Sequence, residues 1–113
     1  MEISFSSSKL QRTCNEEKLT IRKWGLTRAA VIRRRLKELK AARTLAIASK
    51  LPSAKLHALR GDRKGQYAVD AEYPYRMVFE LDHNPLPTKI DGGMDPDKVT
   101  AIRILEVIDY HGD

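Results

Sequence analysis

The chain has 113 residues, of which 42% are hydrophobic and 32% charged, with one cysteine and a formal net charge of +6. That is material for one folded domain and leaves no room for a second core. It excludes a disordered chain, an internal disulfide and a transmembrane helix, since no apolar run nears the roughly 18 residues a span needs. The opening stretch, MEISFSSSKL, lacks the basic and apolar regions of a signal peptide, so a cytoplasmic location is expected. No Cys/His cluster is present, and neither a metal nor another cofactor is expected.

Glu2–Phe5 alternates polar and apolar, with Ile3 and Phe5 on one side, as a half-buried strand does. Ser6–Ser8 is a cluster of N-cap residues. Lys9–Trp24 reads as helix in two pieces, with Asn15 capping the second and Gly25 following as the stop. Thr27 is the expected N-cap of the next helix. There Ala29, Ile32, Leu36 and Leu39 form one apolar stripe, with the arginines mostly off it. A helical turn over Leu45–Ser49 ends before Pro52.

From Lys55 the period changes. Leu56 and Ala58 suggest a short strand running into a turn at Gly61-Asp62. Gln66–Glu72 alternates, with Tyr67, Val69 and Ala71 on one face. Tyr73-Pro74 is a tight connection into Tyr75–Leu81, where Met77, Phe79 and Leu81 share a face. His83–Lys98 is rich in turn residues and reads as a long exposed loop. Thr100–Asp109 is the last strand. The expected fold is α+β, one domain, with an antiparallel β-sheet and the N-terminal helices packed on one face.

The charge is unevenly spread. Residues 1–64 hold 17 Lys and Arg against five Asp and Glu, whereas residues 65–113 hold four against ten. A half this basic suits a polyanion such as nucleic acid or a ribosome, or an acidic protein. Arg33, Arg34 and Arg35 with Lys37, Lys40 and Arg43 carry most of the run. An ordinary solvated helix face would look similar, but few acids offset these cations.

Two clusters hold groups capable of chemistry. The first, Lys55 to Tyr67, gathers His57, Lys55, Arg60, Arg63, Lys64 and Tyr67 around a glycine-flanked turn. Such a turn lets a phosphate backbone approach closely while the cations neutralise it. The second is Asp109-Tyr110-His111, a carboxylate, a phenol and an imidazole. Cleavage of RNA by its own 2′-hydroxyl needs a base, an acid and cations around phosphorus, and no metal if side chains fill those roles. The two clusters contain all of these groups. His83, ahead of a proline-rich loop, has no assigned part.

These segments also resemble a known family. Leu56-His57-Ala58-Leu59-Arg60-Gly61-Asp62-Arg63-Lys64-Gly65-Gln66-Tyr67, then Tyr75-Arg76-Met77-Val78-Phe79, then Val107-Ile108-Asp109-Tyr110-His111, look like the HigB branch of the RelE/ParE toxin superfamily. The likeness covers residues 55–111 in order. It departs at Ala58, where proline is usual, and at Tyr67 and Tyr75, where tryptophan is. Two residues follow His111, and the 83–98 loop is long. The resemblance implies a RelE/ParE-like fold and a type II toxin that cleaves messenger RNA on the 70S ribosome without metal. It implies a helix-turn-helix antitoxin of the HigA kind as partner. It places catalytic roles on His57, Asp109, Tyr110, His111 and Arg76, and phosphate contacts around Arg60. A gyrase-directed poison, or a degenerate toxin that only binds, is the alternative within the superfamily.

Overall fold

The computed structural model describes residues 1–109. Among them run β1 (Glu2–Phe5), α1 (Ser8–Asn15), α2 (Glu17–Trp24), α3 (Leu26–Ala41), α4 (Leu45–Ala48), β2 (His57–Ala58), β3 (Gln66–Asp70), β4 (Tyr75–Leu81) and β5 (Ala101–Asp109). The α+β expectation holds, and most boundaries fall within two residues of those read from the pattern. Ser7 caps α1 by accepting from the Leu10 amide. The break between α1 and α2 falls at Glu16, so Asn15 ends the first piece instead of capping the second. Likewise Gly25 precedes α3 directly, and Thr27 lies inside the helix. Glycine here both stops one helix and starts the next, leaving no separate cap.

The sheet order is β1-β5-β4-β3-β2. From β2 to β5 it is an antiparallel meander, as expected. β1 corrects the expectation of a wholly antiparallel sheet: it pairs with β5 in parallel, Ile3 opposite Ile102 and Phe5 opposite Ile104. The chain leaves β1 through the helices and returns to its side only at β5, and so long a crossover permits parallel pairing.

Alternation along the strands splits the apolar residues between two faces. Val69, Met77, Phe79, Ile102, Ile104 and Val107 form the main core with Trp24, Ile32 and Leu39 from the helices. Ala68, Val78, Leu105 and Ile108 lie on the other face with Leu59, in a small cluster to which no described helix contributes. The helices therefore cover one face. On the other, only short or branched apolar side chains are buried.

Candidate functional site: the helix-free face of the sheet

His57 stands opposite Ala68, which stands opposite Val78, which stands opposite Glu106. That row places His57 on the helix-free face. Two positions along, Asp70, Arg76 and Ile108 make the next row, and Gln66, Glu80 and Arg103 make the row on the other side. Strand spacing and rise put the Cα atoms of His57 and Arg76 roughly 12 Å apart. Both side chains can reach a group seated between them.

Local backbone sets the histidine. A 3₁₀ turn over Pro52–Ala54 ends at Lys55 in the left-handed region, φ 50°. Its carbonyl then meets His57 Nδ1 at 2.9 Å. A carbonyl only accepts, so Nδ1 carries the proton and donates. In the neutral ring Nε2 is then the basic nitrogen, the form a general base requires.

The turn between β2 and β3 is built as the sequence suggests. Gly61 (φ 62°) and Gly65 (φ 93°) both occupy left-handed conformations that side-chain-bearing residues resist. Arg60 and Lys64 are exposed on it and pair with no described residue. Lys55 is exposed as well. Arg63 is used differently: it donates to Gln66 Oε1 at 2.9 Å and to Glu106 Oε2 at 2.8 Å, tying the turn down onto the sheet.

The arginine run on α3 does not act as a block. Arg33 is half-buried and Arg34 exposed, while Arg35 is only 4% exposed. Arg35 pairs with Glu38 at 2.9 Å, donates to the Ser53 carbonyl at 2.8 Å and lies 3.6 Å from Asp70. A guanidinium held this way braces α3 against the 52–54 turn and the end of β3. The expectation that Arg35 contacts phosphate is corrected by its burial. Arg33 and Arg34 project from α3, which packs on the opposite face of the sheet from His57.

Asp70 was not singled out by the sequence. It takes Arg35 on one oxygen and Arg76 on the other, at 3.6 and 3.7 Å. Arg76 therefore lies on the same face as His57, pinned by a carboxylate. Glu106, also not singled out, closes the His57 row at its other end. Arg103 lies between Glu80 at 3.0 Å and Asp82 at 3.1 Å. No motif marks these acids; they emerge only from the strand register.

Asp109 is exposed and stands opposite Tyr75, three positions past the His57 row on β5. Tyr75 faces the helix side, where Arg28 stacks over its ring at 3.9 Å and pairs with Glu72 at 3.3 Å. The register thus does not set Asp109 beside His57. Tyr110 and His111 lie outside the described residues. Tyr67 stacks on Phe79 with ring centroids 5.8 Å apart, and burial pushes its phenol above the usual range. It is a packing residue. His83 has a structural part: the amides of Thr100 and Ala101 donate to its Nε2 at 3.0 and 3.3 Å, joining the two ends of the 83–98 excursion. That excursion is a loop with a single bridge, Thr88 to Met94, as its turn-rich composition suggests. Among the described residues no group of His, Cys, Asp and Glu is arranged to hold a metal, and no helix is long and apolar enough to cross a membrane.

No family model matches the chain, and no curated protein matches it in sequence. Solved structures do. A YoeB/ParE toxin from Agrobacterium tumefaciens superposes with a TM-score of 0.55 at 10% identity, over 98% of this chain and all of that one. The YoeB-YefM complex from Staphylococcus aureus gives a TM-score of 0.55 at 17% identity, over 99% of this chain and 98% of the matched one. The fold is that of the RelE/ParE-like toxins. The structural likeness covers 98–99% of the chain and so takes in the helical half, outside the 55–111 stretch of the sequence resemblance.

Proposed function

We propose that the chain is the toxin of a type II toxin–antitoxin pair, an endoribonuclease that cuts messenger RNA on the 70S ribosome. The observation that carries this reading is His57. Its backbone-held tautomer leaves Nε2 basic on the helix-free face of a toxin-like fold, one row from Arg76. His57 takes the proton of the RNA 2′-hydroxyl, and that oxygen attacks phosphorus. Arg76, with Arg60, Lys64 and Lys55 at the margin, offsets the added negative charge. The 5′-oxygen leaves with a proton from His111, with Asp109 and Tyr110 as the tail's supporting groups. No cofactor enters these steps. The partner is a helix-turn-helix antitoxin of the HigA kind; an antitoxin-bound neighbour of the same fold supports the pairing in outline.

Cleavage of a defined message on purified ribosomes, mapped by toe-printing, tests the reading. Cuts made by the wild type and lost in His57→Ala support it; unchanged cuts in His57→Ala/His111→Ala remove both histidines from the mechanism. A second reading, binding without cleavage, is favoured by one observation. Arg76 is shared with Asp70, which weakens its pull on phosphorus. A wild type that binds ribosomes and leaves messages intact would select it.

A further inference from the structure

β2 pairs with β3 over only two residues, His57 to Ala68 and Ala58 to Tyr67. The outer flank of β3 at Val69 and Asp70 therefore lies beyond the end of β2, and the Pro52–Ala54 turn packs against β3. Arg35 reaches past that end from α3, on the covered side, to Asp70, which belongs to the open-face row with Arg76. Its side chain is 5% exposed. Nη2 donates to the Ser53 carbonyl at 2.8 Å and lies 3.6 Å from Asp70 Oδ2, while Nη1 pairs with Glu38 at 2.9 Å.

The contacts to Ser53 and Asp70 lead to the two groups of the open face. Ser53 sits in the turn that ends at Lys55, whose φ of 50° is a conformation that side-chain-bearing residues resist. Such a backbone persists only where its surroundings over-determine it. Here Ala54 is buried in the core, its amide bonds the Leu51 carbonyl at 3.3 Å, and Arg35 holds the Ser53 carbonyl. The Lys55 carbonyl is thereby aimed at His57 Nδ1. Asp70 is held from more than one side. Its Oδ2 faces Arg35 and accepts from the Glu72 amide at 3.4 Å, which leaves Oδ1 turned to Arg76. The 3.7 Å separation from Arg76 is longer than the roughly 2.7–2.9 Å of a charge-assisted hydrogen bond. Asp70 divides its charge between two guanidinium groups, so Arg76 is oriented without being withdrawn from the face.

We propose that Arg35 is a positioning residue for both groups of the open face. Through Ser53 it fixes the tautomer of His57, and through Asp70 it sets how firmly Arg76 is held. That His57 and Arg76 act on RNA rests on the function proposed above; that one guanidinium sets both does not. Removing it has two consequences. The turn before His57 loses a brace, Nδ1 loses its fixed acceptor, and the ring samples both tautomers. Asp70 is left with Arg76, and that pair closes.

Nuclear magnetic resonance of the ring and guanidinium nitrogens in the labelled full chain, without RNA, tests this. At a pH where the ring is neutral, wild-type His57 should be a single tautomer, protonated at Nδ1, with widely separated nitrogen shifts. A wild-type ring exchanging between tautomers overturns the proposal. In Arg35→Met, held at a temperature where the chain is folded, the separation should shrink by at least half and the Arg76 Nε resonance should move. Asp70→Asn cuts only the second path: the Arg76 resonance should move and the His57 shifts should stay. If Arg35→Met does not fold, Arg35→Lys takes its place. Its side chain is one bond shorter and ends in a point instead of a fork, so the His57 shifts should move in the same direction by less. Unchanged His57 and Arg76 resonances in a folded Arg35 variant overturn the proposal and leave Arg35 a part in stability alone. So does a change at His57 in Asp70→Asn as large as that in Arg35→Met. On ribosomes, turnover by Arg35→Met should fall by roughly 10²-fold with KM little changed, because the exposed cations are untouched. A wild type that cuts no message sinks the function alone, since the resonances still read the positioning.

Discussion

Met77, Phe79, Ile102 and Ile104 turn toward α3 and are fully buried, whereas the residues that alternate with them, Arg76, Val78, Glu80 and Arg103, turn to a face no described helix covers. The same strands thus carry large apolar side chains on one side and small apolar and charged ones on the other. A period of two makes this separation inevitable once one face is buried. It also means that substitutions one residue apart should fail in different ways: one loses the fold, its neighbour loses the chemistry.

Phe79→Ala tests the covered face. It removes the ring stacked on Tyr67 from a fully buried position and should lower stability by about 3–5 kcal/mol, read by urea unfolding. His57→Ala tests the open face. It should slow message cleavage by about 10²–10⁴-fold, a barrier increase of roughly 3–5 kcal/mol, while stability stays within about 1 kcal/mol. If His57→Ala unfolds the protein instead, the histidine braces the fold and the contrast between faces collapses.

The contrast repeats within α3, and there the sequence is only partly legible. Arg34 and Arg35 are adjacent, one exposed and one buried. Arg35 lies three residues after Ile32 and four before Leu39, so the helical period already places it on the apolar stripe. Apolar residues alone mark the stripe, and its charge groups Arg35 with its exposed neighbours. Its partner Asp70 is too distant in sequence for any pattern to reveal. The strand faces, the turn at Gly61 and the position of His57 were legible because alternation and glycine conformations are local. The parallel pairing of β1 with β5 and the row joining His57 to Glu106 were not, because each depends on which distant strands become neighbours. Arg35→Ala should lower stability by about 2–3 kcal/mol, since it strips Glu38 and Asp70 of a buried partner while leaving Asp70 its contact with Arg76. Arg34→Ala should change stability by less than about 0.5 kcal/mol. Equal effects in parallel urea titrations would contradict the split.

Cys14 gives the effect that depends on pH. It is 1% exposed at the end of α1, on the covered side. Burial disfavours the thiolate and pushes the thiol from 9.0 up to about 11, against a weaker opposite pull from Lys23. As pH rises past 9 the unfolded chain gives up this proton and the folded chain keeps it. The unfolded state is then favoured, so stability is complete below pH 9 and declines as pH climbs toward 11. At about 1.36 kcal/mol per pH unit, the loss by pH 10.5 should be roughly 2 kcal/mol. Cys14→Ala should not show it. Tyr67, whose phenol burial also raises, adds a decline of the same sign at higher pH, but equally in both proteins. Urea unfolding of wild type and Cys14→Ala at pH 8 and pH 10.5 isolates the thiol as the difference between the two losses. Identical losses would mean that Cys14 ionises as freely in the folded chain as in the unfolded one. The end of α1 would then be open to water, and the covered face would be sealed only around α3.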